Sequence, residues 1–342
     1  MVPCPFCEAP LPEAALSSGN AGLGICVRCF NPVLTGWRDG ADKAAPLAGA
    51  RDIRRIAPPE SIGAALLAQT AQNLDDLPVL PEMSQRILHL LKDPEFSLPE
   101  LTALIKEDPV IAVAVMRQAN SAAFGGLHEI KDLNGACARL GMKTIANTVQ
   151  IVANRNLFIT GNAALKNSMG RLWHHSVATA HCADEISRLT LAPDREAIFL
   201  AGLIHDIGKV LLLEMAASPG GNALRELKTN TALLAEIMEN FHGLLGLLVC
   251  QAWQLPPTLR AAVYFHHQPD SCPEKEWTPT VHTVALANAI ALVEGYGMHE
   301  TAQEVFLSSH PSTLHLGLTD IKLATLRVDL ADTLEALFEI AG

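Results

Sequence analysis

A chain of 342 residues can bury a sizeable core, as one large domain or two moderate ones. Hydrophobic residues make up 49% and aromatics 5%, so that core is built from Leu, Ala, Ile and Val, a mixture that suits packed helices better than strands. A net charge of −11 without a Lys/Arg run argues against a general nucleic-acid binder, because neutralising phosphates needs a basic surface.

The first 37 residues read as a separate module. Cys4 and Cys7 form one C-x2-C pair, and Cys26 and Cys29 form a second, separated from the first by eighteen residues. Each pair can present two thiolates from one tight turn, and two such turns complete a tetrahedral four-sulfur site for Zn2+. A segment this short cannot bury enough apolar surface to fold unaided, so metal binding would supply the missing free energy. A redox pair is the competing reading, but it normally sits in a βαβ context that is absent here. Cys137, Cys182, Cys250 and Cys272 are scattered through helical patterns and read as reduced thiols. The start of the chain lacks the apolar core of a signal peptide, and a cytoplasmic protein without a membrane span is expected.

Residues 38–60 are rich in Ala, Gly, Asp, Arg and Pro and read as a linker. Residues 61–342 read as one all-α domain with an N-terminal part (61–164) and a second part (165–342). Helices are predicted over 81–92, from Ser97 with Glu100 as a capping-box partner, and from Asp108-Pro109 to Asn120. Two more follow at 133–140 and 144–154. The second part offers helices at 172–189, 195–215, 224–239, 244–253, 257–267, 281–296 and 320–340.

The chemistry concentrates in the 195–215 stretch, where His205 and Asp206 interrupt an apolar run and Lys209 follows. A buried carboxylate costs several kcal/mol unless something satisfies it, either a metal ion or a polar network. Imidazole and carboxylate ligands together suit Zn2+, Mn2+ or Fe2+.

These residues sit in a recognisable setting. Trp173, His175 and Ser176; His205-Asp206-Ile207-Gly208-Lys209; Glu239, His242 and Gly246; Trp253, Leu255 and Pro256; and His266-His267 together resemble the HD superfamily of metal-dependent phosphohydrolases. Leu77-Pro78, Leu80-Pro81, Asp108-Pro109, Ala119-Asn120-Ser121-Ala122 and Leu140-Gly141 narrow the resemblance to its HDOD branch, an HD-related output domain.

The resemblance implies an all-α fold and assigns His175, His205 and Asp206 as ligands of a first metal. It assigns His242 and His266 to a second metal, with His267 as the adjacent alternative; Fe, Mn, Zn or Mg could fill such a site. Where the HD pattern has a final Asp, this chain has Asn288, whose neutral carbonyl can ligate but supplies no charge and is a poor proton acceptor. Lys209 could contact a phosphate or cap helix carbonyls. The expectation is a bacterial signal-transduction protein, its HDOD domain serving as a non-catalytic interaction or ligand-sensing module with other signalling proteins as partners and a nucleotide or phosphate as a ligand. The alternative is a divalent-metal phosphohydrolase acting on a nucleotide or cyclic dinucleotide.

Overall fold

In the computed structural model the described residues are 77–341, apart from 92, 94, 127, 193–194, 218–230 and 299–304, together with four short strands nearer the N-terminus. The strands form two antiparallel pairs, β1 (Val2–Pro3) with β2 (Pro10–Leu11) and β3 (Gly22–Ile25) with β4 (Pro32–Thr35). Cys4, Cys7, Cys26 and Cys29 lie outside the described residues, as does the 38–60 linker.

From residue 77 onward every regular element among the described residues is helical, as the composition requires. In chain order these are α1 (Glu82–Leu90), α2 (Leu98–Lys106), α3 (Pro109–Ala119), α4 (Leu133–Asn154), α5 (Lys166–Leu189) and α6 (Arg195–Ile204). Then come α7 (Ile207–Ala217), α8 (Thr231–Ala252), α9 (Pro257–Phe265), α10 (Thr278–Val293), α11 (Pro311–His315) and α12 (Asp320–Ala341).

Local signals account for several boundaries. The Glu100 carboxylate accepts from the Ser97 backbone N–H at 2.9 Å and from its hydroxyl at 2.6 Å, tying down the entrance to α2. Asp108 accepts from the Val110 and Ile111 amides, and Pro109 opens α3 without wasting a donor. Gly141, at φ +74°, breaks α4 where two helices were predicted on either side of it.

The chain divides into two compact units that do not follow sequence order. One comprises residues 79–204 with 282–342, the other residues 1–78 with 205–281. In the first, α1 to α4 close over Ile87, Leu101, Ile105, Ile111, Val115 and Val149, each at most 1% exposed. Among its buried polar groups, Asp184 takes Lys143 at 2.6 Å and Arg195 at 3.2 Å, and Asn154 donates to the Ser84 hydroxyl at 2.7 Å. Asn120 holds the loop after α3 by exchanging hydrogen bonds with the backbone of Ile130, which gives one of the family-like motif residues a structural role.

The second unit is built on α7, α8 and α9. Within α8, Leu233–Ala252 is long and apolar enough to cross a membrane by length and composition, with mean hydropathy 1.4. Sixty-one per cent of that stretch is buried, as in the core helix of a compact unit. The Trp253 indole N–H donates to the Pro78 carbonyl at 2.6 Å, joining two motifs far apart in sequence.

Candidate metal centre

His205 and Asp206 do not lie inside one long helix. The single helix expected over 195–215 is two, α6 and α7, and the pair forms the turn between them. Successive side chains on an unbroken helix point about 100° apart, and the break frees adjacent His and Asp from that spacing. Both are fully buried, at 0% exposure.

The helices that bring the other ligands are held by glycine. A Cβ on Gly208 would lie 1.9 Å from the His242 carbonyl oxygen and 2.7 Å from the Gly246 nitrogen, so α7 and α8 touch backbone to backbone beside the centre. A Cβ on Gly246 would sit 2.7 Å from Val263 Cγ1, so a side chain of α9 packs directly against the Gly246 backbone. These contacts explain a second correction. Helices were expected at 224–239 and 244–253, yet α8 runs unbroken through Gly243. Packing on both sides outweighs the poor helix propensity of the glycines.

Four imidazoles surround Asp206 within this unit. His242 Nδ1 donates to the Met238 carbonyl at 2.6 Å, and His266 Nδ1 donates to the Val263 carbonyl at 2.8 Å. A carbonyl can only accept, so in both neutral rings Nδ1 carries the proton and Nε2 is left as a lone pair. Those two bare nitrogens face each other at 3.2 Å, and His267 Nε2 lies 3.1 Å from that of His242. Asp206 Oδ1 stands 3.4 Å from His242 Nε2 and 3.7 Å from His266 Nε2. On the other side, Asp206 Oδ2 binds the Lys209 ammonium at 2.7 Å and stands 3.5 Å from His205 Nε2.

Burial favours the neutral form of the His242, His266 and His267 rings. Burial pushes His242 down to about 3; the Lys209 ammonium acts in the same direction and Asp206 against it. Burial, reinforced by the neighbouring rings, holds His266 well below the usual histidine range. His267 is lowered by burial and partly restored by Asp206.

The donor set fits a metal ion. The facing Nε2 lone pairs of His242 and His266 repel one another unless a cation joins them. The ligand atoms of His242, His266 and His267 all lie within 4.8 Å of one another. A tetrahedral ion with Zn–N bonds of about 2.0–2.1 Å holds its donors about 3.3 Å apart, close to the spacings found. The backbone carbonyls behind His242 and His266 orient the rings as outer-shell partners do in metal sites.

The remaining predicted residues are placed as follows. His175 (α5, 2% exposed) and Asn288 (α10, 6% exposed) are buried, and both belong to the 79–204 with 282–342 unit. His267, taken only as an alternative ligand, stands with His242 and His266. Lys209 is neither at a helix C-terminus nor directed at helix carbonyls; it lies in the first turn of α7 and pairs with Asp206. His282 and His315, which match no motif, stack with ring centroids 3.8 Å apart. Sequence reasoning missed the supporting parts, namely Gly208, Gly246 and the Met238 and Val263 carbonyls. Only the glycines left a readable trace, in the motifs.

All-helical architecture with a buried His–Asp pair at a helix break defines a domain of the HD class. Within that class the chain belongs to the HDOD domain family, whose model matches residues 77–269. Similar solved structures agree in fold. An HDOD domain protein from Geobacter sulfurreducens is 24% identical with a TM-score of 0.64, covering 82% of this chain and 97% of its own. A candidate metal-dependent phosphohydrolase from Shewanella amazonensis SB2B is 21% identical with a TM-score of 0.60, covering 82% and 99%. In sequence, the chain is 25% identical over 319 residues to an uncharacterized protein of Treponema pallidum (strain Nichols). That match takes in 88% of this chain and 60% of the relative's length.

Proposed function

We propose that this chain is a bacterial signalling protein whose HDOD domain holds a divalent metal ion and works as a binding and output module without hydrolytic turnover. The observation that carries the metal is the meeting of the His242, His266 and His267 imidazoles beside the Asp206 carboxylate, with the bare Nε2 atoms of His242 and His266 facing each other. A bound ion would supply the charge that reconciles them and a coordination position for an anionic ligand such as a phosphate or nucleotide.

Two features disfavour turnover. Asp206, the carboxylate of the cluster, is already neutralised by Lys209, so it is a weak proton acceptor. Asn288 stands where the HD pattern supplies a second carboxylate. The same ligand set would serve a phosphohydrolase if another group took the proton, and that is the alternative reading. The N-terminal cysteines are proposed as a Zn2+ site, since each C-x2-C pair falls in the chain between two antiparallel strands. A cytoplasmic location and other signalling proteins as partners belong to the same proposal.

Elemental analysis of protein purified without added metal tests the centre. The native chain should carry one divalent equivalent that His242→Ala lacks, with the helical circular dichroism retained. Equal metal contents would count against the metal reading. Incubation with nucleotides and cyclic dinucleotides should give no turnover; robust turnover abolished by His205→Ala would promote the hydrolase.

A further inference from the structure

The last long helix, α12, is apolar on two opposite faces. Leu323, Leu326, Leu330, Leu334 and Leu337 recur at helical spacing and are buried, so one face is taken up by the core. At about 100° per residue, Ile321, Ala324, Thr325 and Val328 fall on the side turned away from that core. All four are exposed, Ile321 at 80% and Val328 at 64%. Thr325 donates its hydroxyl to the Ile321 carbonyl at 3.0 Å, so the stripe can be covered without stranding that donor. Further along the same face the exposed residues turn acidic, at Glu335 and Glu339.

The charges beside the stripe say what covers it. On the helical wheel Lys322 and Asp329 share one edge, and Asp320 and Arg327 share the other. Each edge thus carries one charge of either sign, and all four residues are exposed. An antiparallel copy of α12, with the two-fold axis between Ala324 and Thr325, sets Ile321 beside the second copy's Val328. The small residues at the axis let the helices approach closely. This symmetry keeps each edge against its own counterpart. Lys322 then meets the second copy's Asp329, and Asp320 meets the second copy's Arg327, each within about 3 Å along the helix axis. A parallel copy would pair Lys322 with Asp320 instead, and it would align the two helix dipoles unfavourably.

We propose that this face of α12 is a homodimer interface, across which two copies of the chain pack antiparallel through Ile321, Ala324, Thr325 and Val328. α12 lies beyond residues 77–269, which match the HDOD model, and the proposal is independent of the metal reading. A contact of two helical turns is smaller than the ~1,200 Å2 of standard interfaces, which places the dimer in the weak, reversible class. The apolar stripe supplies the affinity, and the exposed charge pairs fix the direction.

Sedimentation velocity on the full-length protein, from about 5 to about 300 µM, tests the interface. The native chain should shift from monomer toward dimer across that range. Val328→Glu, which sets a carboxylate in the stripe, should raise the dissociation constant roughly tenfold or more. Lys322→Glu should weaken the dimer, and adding Asp329→Lys should restore it, because opposite charges then meet again across the axis. Asp329 also lies near Arg188 and His181 of α5, so circular dichroism and the melting temperature of each variant are read alongside. A native chain that stays monomeric at the highest concentration overturns the proposal and leaves the stripe to a different partner. A dimer that Val328→Glu leaves intact overturns it as well, because the copies then meet elsewhere. Rescue of Lys322→Glu by Asp320→Lys rather than by Asp329→Lys overturns the antiparallel pairing.

Discussion

At the scale of single residues, the centre sets solvation against proximity. Imidazoles at His242 and His266 have lost their water, so protonating either places a charge in a buried site, beside the Lys209 ammonium for His242 and among the neighbouring rings for His266. In the unfolded chain the same rings titrate at their ordinary value, about 6.5. The folded protein thus binds fewer protons than the unfolded chain as pH falls below that value. The stability associated with these rings is fully present above about pH 6.5 and is lost progressively toward about pH 3, where His242 titrates in the fold. Urea denaturation of metal-free protein across pH 7 to 4 should show this loss. His242→Gln should flatten the dependence by roughly one proton, about 1.4 kcal/mol per pH unit. Identical slopes in the two proteins would mean that His242 is not held neutral in the core. Metal binding should deepen the native slope, because the ion competes with protons for the same lone pairs.

At the scale of elements, what matters is how closely backbones approach. α7 and α8 meet at Gly208 with no room for a methyl group, since its Cβ would stand 1.9 Å from a carbonyl oxygen. Gly208→Ala must push α8 away and take His242 with it. The expected cost is at least about 2–3 kcal/mol in chemical denaturation, together with loss of metal. Gly170 is the internal control, because it lies within α5 and a Cβ there meets nothing within 4 Å. Gly170→Ala should stabilise the protein by about 0.5–1 kcal/mol through helix propensity alone and leave metal content unchanged. If the two substitutions had similar effects, the close crossing of α7 and α8 would not be what positions His242.

At the scale of the whole molecule, two kinds of metal site are proposed, and they should respond separately. Cys26→Ser should remove about one equivalent of zinc while the helical domain keeps its melting temperature, because a thiolate site in residues 1–37 contributes its folding energy locally. His242→Ala should do the reverse, sparing the zinc and lowering the melting temperature of the metal-loaded protein. A single variant that emptied both sites would show that the metals are not held independently. Calorimetry paired with elemental analysis reads both quantities on the same sample.

Much of this protein was legible in its residues. The Leu- and Ala-rich composition required helices. Asp108-Pro109 and the Ser97–Glu100 pair marked helix starts that the structure retains, because capping involves neighbours in sequence. The motifs around His205, Asp206, His242 and His266 carried the family. The helix break at His205-Asp206, the continuity of α8 through Gly243, and the pairing of Lys209 with Asp206 were decided only by the tertiary structure. Each depends on what another segment presents at that point: a second backbone against Gly208, a carbonyl behind each imidazole, a carboxylate within reach of an ammonium. Periodicity and capping are local, so one stretch of sequence contains them. Desolvation and the choice of a buried charge's partner arise between segments far apart in the chain, and only folding brings those segments together.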